Sequence, residues 1–125
     1  MDPAAAIERI DHATAVIALS GPLHLSGELH DINTTLQQLI VDGVTRLVLD
    51  LGNCPYVDSA GLGTLLHTYG LLTERQGQLR LCNVNQRIED LIVMTHTDAL
   101  LHRDLDLATS LAALPELPPE PEPEA

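Results

Sequence analysis

Leu47-Val48-Leu49-Asp50-Leu51-Gly52-Asn53-Cys54-Pro55-Tyr56-Val57-Asp58-Ser59-Ala60-Gly61-Leu62-Gly63-Thr64-Leu65-Leu66 decides the fold of this chain. It opens as a short apolar run bounded by polar residues, the mark of a buried strand. Gly52-Asn53-Cys54-Pro55 interrupts that run with turn-forming residues. Beyond Asp58-Ser59, Leu62, Leu65, Leu66 and Tyr69 recur at helical spacing. A strand therefore passes through one loop into the first turn of a helix. Ser59 stands in that turn beside a carboxylate, with glycines following at 61 and 63.

On the N-terminal side, Ile7 to Ile10 predicts a short strand and Asp11-His12 a turn. Ala13 to Leu19 is a continuous apolar run that completes a hairpin, ended by Ser20-Gly21-Pro22. Residues 25–43 predict a helix, because Leu29, Ile32, Leu36, Leu39 and Ile40 form one apolar stripe. Ser26 is its candidate N-cap, Glu28 and Asp31 suit the positive end of its dipole, and Gly43 stops it. Arg46 to Leu51 is the central strand.

On the C-terminal side, the Ser59 helix extends to about Gln76 and ends at Gly77. Gln78 to Val84 predicts the next strand. Asn85 caps a helix expected to turn Ile88, Leu91, Ile92 and Thr95 inward. A short strand near Leu101 to Asp104 follows, and Asp106 caps a last helix carrying Leu107, Leu111 and Leu114. This alternation is an α/β order with a mixed, mostly parallel sheet packed against helices. One domain is expected over residues 1–114. Pro115 ends it, and the Pro/Glu-rich residues 115–125 predict an extended, disordered acidic tail.

Composition narrows the function. The formal charge is −12, and Glu116, Glu120, Glu122 and Glu124 account for only four acids. Residues 1–114 hold fourteen acids against six arginines, a balance of −8, so the acidity belongs to the body as well as the tail. Such a surface repels a phosphate backbone and anionic lipid, and favours a protein partner with basic patches. Phe and Trp are absent and Tyr56 and Tyr69 are the only tyrosines, which leaves no platform for base stacking. No run approaches the length of a membrane span and no basic-then-apolar leader opens the chain, so a cytoplasmic protein without membrane insertion is expected. Cys54 and Cys82 lack CxxC spacing and read as reduced, buried filler.

The chemistry-bearing residues are few. His12, His24, His30, His67, His96 and His102 show no zinc-site spacing, so neither metal nor cofactor is expected. Ser59 sits where a hydrolase would place a nucleophile, but Val57 replaces the glycine such an elbow requires. A phosphate-binding loop lacks its lysine, since the chain has no lysine. No catalytic residue is expected. Ser59 could simply cap its helix. Two glycines in one helical turn cost stability, however, and ask for a reason: close packing of the turn on the sheet, or close approach by another protein.

Val57-Asp58-Ser59-Ala60-Gly61-Leu62-Gly63, set between an apolar strand and an apolar helix, resembles the signature of the STAS domain, the fold of bacterial anti-sigma factor antagonists. The resemblance is ordered across residues 7 to 114. It implies an STAS-like fold and a non-enzymatic regulator, with Ser59 as the phosphorylated serine. Asp58, Ser59, Ala60, Gly61, Leu62 and Gly63 would form or floor a partner-binding patch. His24 would lie beside it, in Gly21-Pro22-Leu23-His24, where the family usually has an aspartate. The implied partner is an anti-sigma factor with ATP-dependent serine kinase activity, captured by the unphosphorylated form and released after phosphorylation; a serine phosphatase would reset the cycle. STAS domains also serve as non-switching accessory subunits of transporters or larger signalling assemblies, and there Ser59 would be only a cap.

Overall fold

The structure is a computed structural model that describes residues 5–121. The elements run β1 Ala5–Arg9, β2 Thr14–Ser20, α1 Gly27–Val41, β3 Arg46–Asn53, α2 Ser59–Glu74, β4 Gln78–Cys82, α3 Gln86–Met94, β5 His102–Asp104 and α4 Leu107–Ala113. The five strands form one sheet in the order β1-β2-β3-β4-β5. β1 pairs antiparallel with β2, and every later neighbour is parallel. The sheet is thus mixed and mostly parallel, as the alternation predicts.

The residue pattern explains the layers. Ile17, Leu47, Leu49, Leu51, Leu79 and Leu81 are essentially inaccessible and pack against the apolar stripes of α1, α2 and α3. On the opposite face a smaller cluster of Val16, Val48 and Cys82 lies under Leu107, Leu111 and Leu114 of α4 and its end. β3 is buried on both faces, which is why it reads as an unbroken apolar run.

Local details adjust the sequence reading. Helix α1 begins at Gly27, with Ser26 Oγ accepting from Leu29 N at 3.2 Å. Asn85 and Asp106 cap α3 and α4 as predicted, accepting from Ile88 N at 2.9 Å and Thr109 N at 2.8 Å. Thr95 does not turn inward. It is the exposed C-cap of α3, its hydroxyl spent on Leu91 O at 2.7 Å, and Thr97, two residues further on, is buried instead. Strand β4 stops at Cys82, because Asn83 takes a left-handed φ of 57°. Residues 115–121 form neither helix nor strand, but they run against the body: the His12 ring donates through Nε2 to Pro118 O at 2.8 Å. Residues 122–125 of the predicted tail lie outside the described residues.

Candidate functional site

Two loops build the site at the C-terminal ends of β2 and β3. Gly21, at a φ of 90°, turns the chain after β2 in a conformation that disfavours any side chain. Gly21 N then donates to Asn53 O at 2.9 Å, and Leu23 N to Tyr56 O at 3.1 Å. Asp58 N donates back to Leu23 O at 3.0 Å, and Leu23 and Val57 form an isolated parallel bridge. The loop after β2 is thereby stapled to the residues that enter α2.

The cap of α2 is Asp58, not Ser59. Asp58 is extended, at φ −94° and ψ −175°, and its Oδ1 accepts from Gly61 N at 2.8 Å. Its Oδ2 accepts from Leu25 N at 2.9 Å. One carboxylate thus caps the helix and clamps the neighbouring loop. The Gly61 and Leu25 amides, with a smaller contribution from the charge of His24, hold its pKa below the usual aspartate value. Asp58 is therefore ionised at neutral pH.

With the cap assigned to Asp58, Ser59 becomes the first helical residue. It is exposed, and its hydroxyl has no hydrogen-bond partner among the described residues. Ala60 is half-buried against the core. The two glycines have different reasons. A Cβ on Gly61 would lie 2.1 Å from Leu23 O and 2.9 Å from Leu23 Cβ, so this residue lets the helix meet the loop. A Cβ on Gly63 would have nothing within 4 Å, and Gly63 is exposed. Leu62 is only 6% accessible and anchors the turn in the core. Of the six consecutive residues, Ser59 and Gly63 present the open surface, while Gly61 and Leu62 support it from beneath.

His24 is half-buried, its ring edge-on to Tyr56 with centroids 5.8 Å apart. The Arg87 guanidinium lies 4.7 Å from the centroid of the same Tyr56 ring. Leu25 is 80% accessible. Sequence reasoning missed Tyr56, Arg87 and Leu25 as neighbours of the serine loop. Only Tyr56 carried a signal, as one of two aromatic residues. Arg87 arrives from another element, where Asn85 Nδ2 donates to Pro55 O at 3.0 Å and draws the start of α3 onto the β3–α2 loop.

No group of three or more His, Cys, Asp or Glu converges on a possible metal position among the described residues. No helix among them is long and apolar enough to cross a membrane. Cys54 and Cys82 are free and buried.

The mostly parallel sheet thus delivers an uncovered serine to the first turn of α2. The STAS domain family matches residues 4–112, and the chain belongs to that family. It is 32% identical over 79 residues to an anti-sigma F factor antagonist of Paenibacillus polymyxa, covering 58% of this chain and 68% of that one. It is also 32% identical over 75 residues to an anti-sigma-B factor antagonist of Staphylococcus aureus, covering 60% and 67% of the two chains. Among solved structures, the Bacillus cell fate determinant SpoIIAA in its phosphorylated form shares the fold at a TM-score of 0.70 and 19% identity, over 87% of this chain and 97% of that one. These bacterial relatives are named as regulatory antagonists, not as enzymes.

Proposed function

We propose that this chain is an anti-sigma factor antagonist whose hold on its partner is switched off by phosphorylation of Ser59. One observation carries the reading: Ser59 is the first residue of α2, exposed, with its hydroxyl unengaged among the described residues while Asp58 does the capping. A kinase can reach that oxygen without opening the fold. The names of the relatives support an anti-sigma factor as the captured protein, and the phosphorylated form of a protein with the same fold supports a phosphate switch. The partner would be an anti-sigma factor that is itself an ATP-dependent serine kinase. Its capture would free a sigma factor, and a phosphatase would reverse the modification.

The physics of release is local. A phosphoserine carries about −1.5 to −2 charges at neutral pH. At Ser59 the helix N-terminus favours it by about 0.3–1 kcal/mol, and the ionised Asp58 opposes it. These opposed contributions leave the fold unchanged, since the Ser59 side chain supports no packing. A partner responds differently. One added charge about 6 Å from a partner carboxylate costs about 2–3 kcal/mol at an effective dielectric near 20. That is roughly a hundredfold in affinity. Desolvation of the phosphate adds to it. Gly63 presents bare backbone one helical turn further on, where a partner can approach closely.

The test pairs Ser59→Ala with Ser59→Asp against the anti-sigma factor kinase of the same organism, by calorimetric titration. Ser59→Ala should bind within about threefold of the native chain. Ser59→Asp should bind at least tenfold more weakly. Incubation of the native chain with that kinase and ATP should add one phosphate, and the Ser59→Ala chain should gain none. Equal affinities for the two variants, or phosphate on another residue, would refute the switch.

A further inference from the structure

The six arginines of this acidic chain are not scattered evenly. Arg80 is committed to Asp104 at 2.7 Å, Arg103 to Glu89 at 2.8 Å, and Arg87 to the Tyr56 ring. The other three, Arg9, Arg46 and Arg75, line two clefts at the N-terminal ends of the parallel strands, together with His12. The far walls of these clefts are built by the acidic, proline-rich segment: Pro115, Glu116 and Pro118 in one, and Pro118 to Pro121 with Glu120 in the other. Asp42 lines the first cleft and Asp11 lies beside Arg46, so in this strip three arginines face two body carboxylates, a local excess of positive charge on a body of net charge −8, turned toward its own acidic tail.

The tail touches this strip but does not pack into it. A cleft of about 510 Å³ remains between the segment and the surface around Arg9, His12 and Gly43. Among the described residues the one hydrogen bond is His12 Nε2–H to Pro118 O at 2.8 Å. Neither Glu116 nor Glu120 closes an ion pair with the arginines. Arg46 Nε is buried without a hydrogen-bond partner, although Nη1 of the same side chain donates to Thr14 Oγ1 at 2.8 Å. Arg46 is also paired with Asp11 at 3.6 Å, so the unpaired positive charge of the strip is that of Arg9 and Arg75, both exposed and without an ion pair among the described residues. The prolines predispose the segment to an extended form, which lowers the entropy lost on docking.

We infer that Arg9, His12, Arg46 and Arg75 form a second binding face, for acidic proline-rich segments, which this chain's own tail occupies in cis as a removable strap. The face precedes β2, β3 and β4, whereas Ser59 follows β3, so strap and serine loop lie at opposite ends of the sheet. An acidic segment of another protein would displace the strap without touching the Ser59 surface. This inference does not depend on the phosphorylation reading.

The full-length chain tests it, with a nitroxide at Pro121→Cys, the two native cysteines being buried. At 50 mM salt the label should broaden the backbone amides of His12, Gly43 and Thr45 at least threefold more than that of Ser59. At 500 mM salt, or in the Arg9→Gln/Arg75→Gln chain at 50 mM salt, this excess should fall by at least half. Both arginines are exposed, so the double variant should fold. A synthetic peptide of the tail sequence, Pro-Glu-Leu-Pro-Pro-Glu-Pro-Glu-Pro-Glu-Ala, should abolish the excess in the native-arginine chain; the same peptide with Gln for every Glu should not. No preferential broadening, or broadening indifferent to salt, to arginine removal or to peptide charge, would overturn the inference.

Discussion

Gly61→Ala and Gly63→Ala remove the same residue type from the same helical turn and should act in opposite directions. At Gly61 the new methyl would lie 2.1 Å from Leu23 O and 2.9 Å from Leu23 C. The carbonyl would have to retreat by about 1 Å to reach an ordinary contact distance, as in other overpacked sites. It cannot do so freely. Leu23 is only 1% accessible, its carbonyl accepts from Asp58 N at 3.0 Å, and its own N–H is held by Tyr56 O. Overpacking of this kind costs about 1–3 kcal/mol, and weakening the Asp58–Leu23 bond about 0.5–1.5 kcal/mol. The helix preference of Ala over Gly returns up to about 1 kcal/mol. Gly61→Ala should therefore lose about 1–3 kcal/mol. Gly63→Ala meets nothing within 4 Å and should gain up to about 1 kcal/mol. Urea unfolding at pH 7 reads both, and by calorimetry each kcal/mol should move the melting temperature by about 4 °C. A Gly61→Ala chain as stable as the native one, or a Gly63→Ala chain destabilised as much as Gly61→Ala, would refute the assignment of one glycine to packing and the other to open surface.

Two further outcomes follow from the side-chain chemistry. Asp58 is held below its ordinary pKa by the Gly61 and Leu25 amides, Glu89 by Arg103 and Asp104 by Arg80. Folded pKa values below unfolded ones contribute stability that is fully present above the unfolded values, about 4, and is lost as the pH falls through the folded ones. The urea midpoint should thus be flat from about pH 7 to 5 and decline below about pH 4; a midpoint rising on acidification over that lower range would contradict these pairings. Burial, reinforced by Asp50 and Asp104, pushes the Cys82 thiol up to about 11, and burial also raises Cys54. A thiol-specific reagent at pH 8 should label neither cysteine in the native chain and both in urea; rapid native labelling would show an accessible thiolate.

The succession of strands and helices and the mostly parallel sheet were legible because the residues that specify them act locally; the order of the strands in the sheet was not. Leu47-Val48-Leu49 could only be a strand buried on both faces, and the stripe Leu29, Ile32, Leu36 and Leu39 only one side of a helix. The serine loop was legible in position but not in detail. Asp58 and Ser59 are both good caps, and their neighbours in sequence do not decide between them. The decision comes from Leu25 N, which takes the second carboxylate oxygen of Asp58 from across the β2–α1 loop. Gly61 and Gly63 look alike as letters; only the Leu23 carbonyl separates them. Thr95 fits the helical period for a buried position, yet α3 ends there and the chain turns away. Arg87 and the arginines at the N-terminal ends of the parallel strands gained their meaning from tertiary placement alone, as did the contact of His12 with Pro118.

The strands lie side by side in the order in which they are synthesised. Every parallel crossover therefore steps in one direction, and α1, α2 and α3 stack on one side of the sheet. Open α/β sheets make small-molecule crevices where the direction of winding reverses, so that successive helices part to opposite sides. A sheet that never reverses has no such parting. What its carboxyl ends offer instead is a row of loops and the first turns of α1, α2 and α3, all begun on the same side of the sheet.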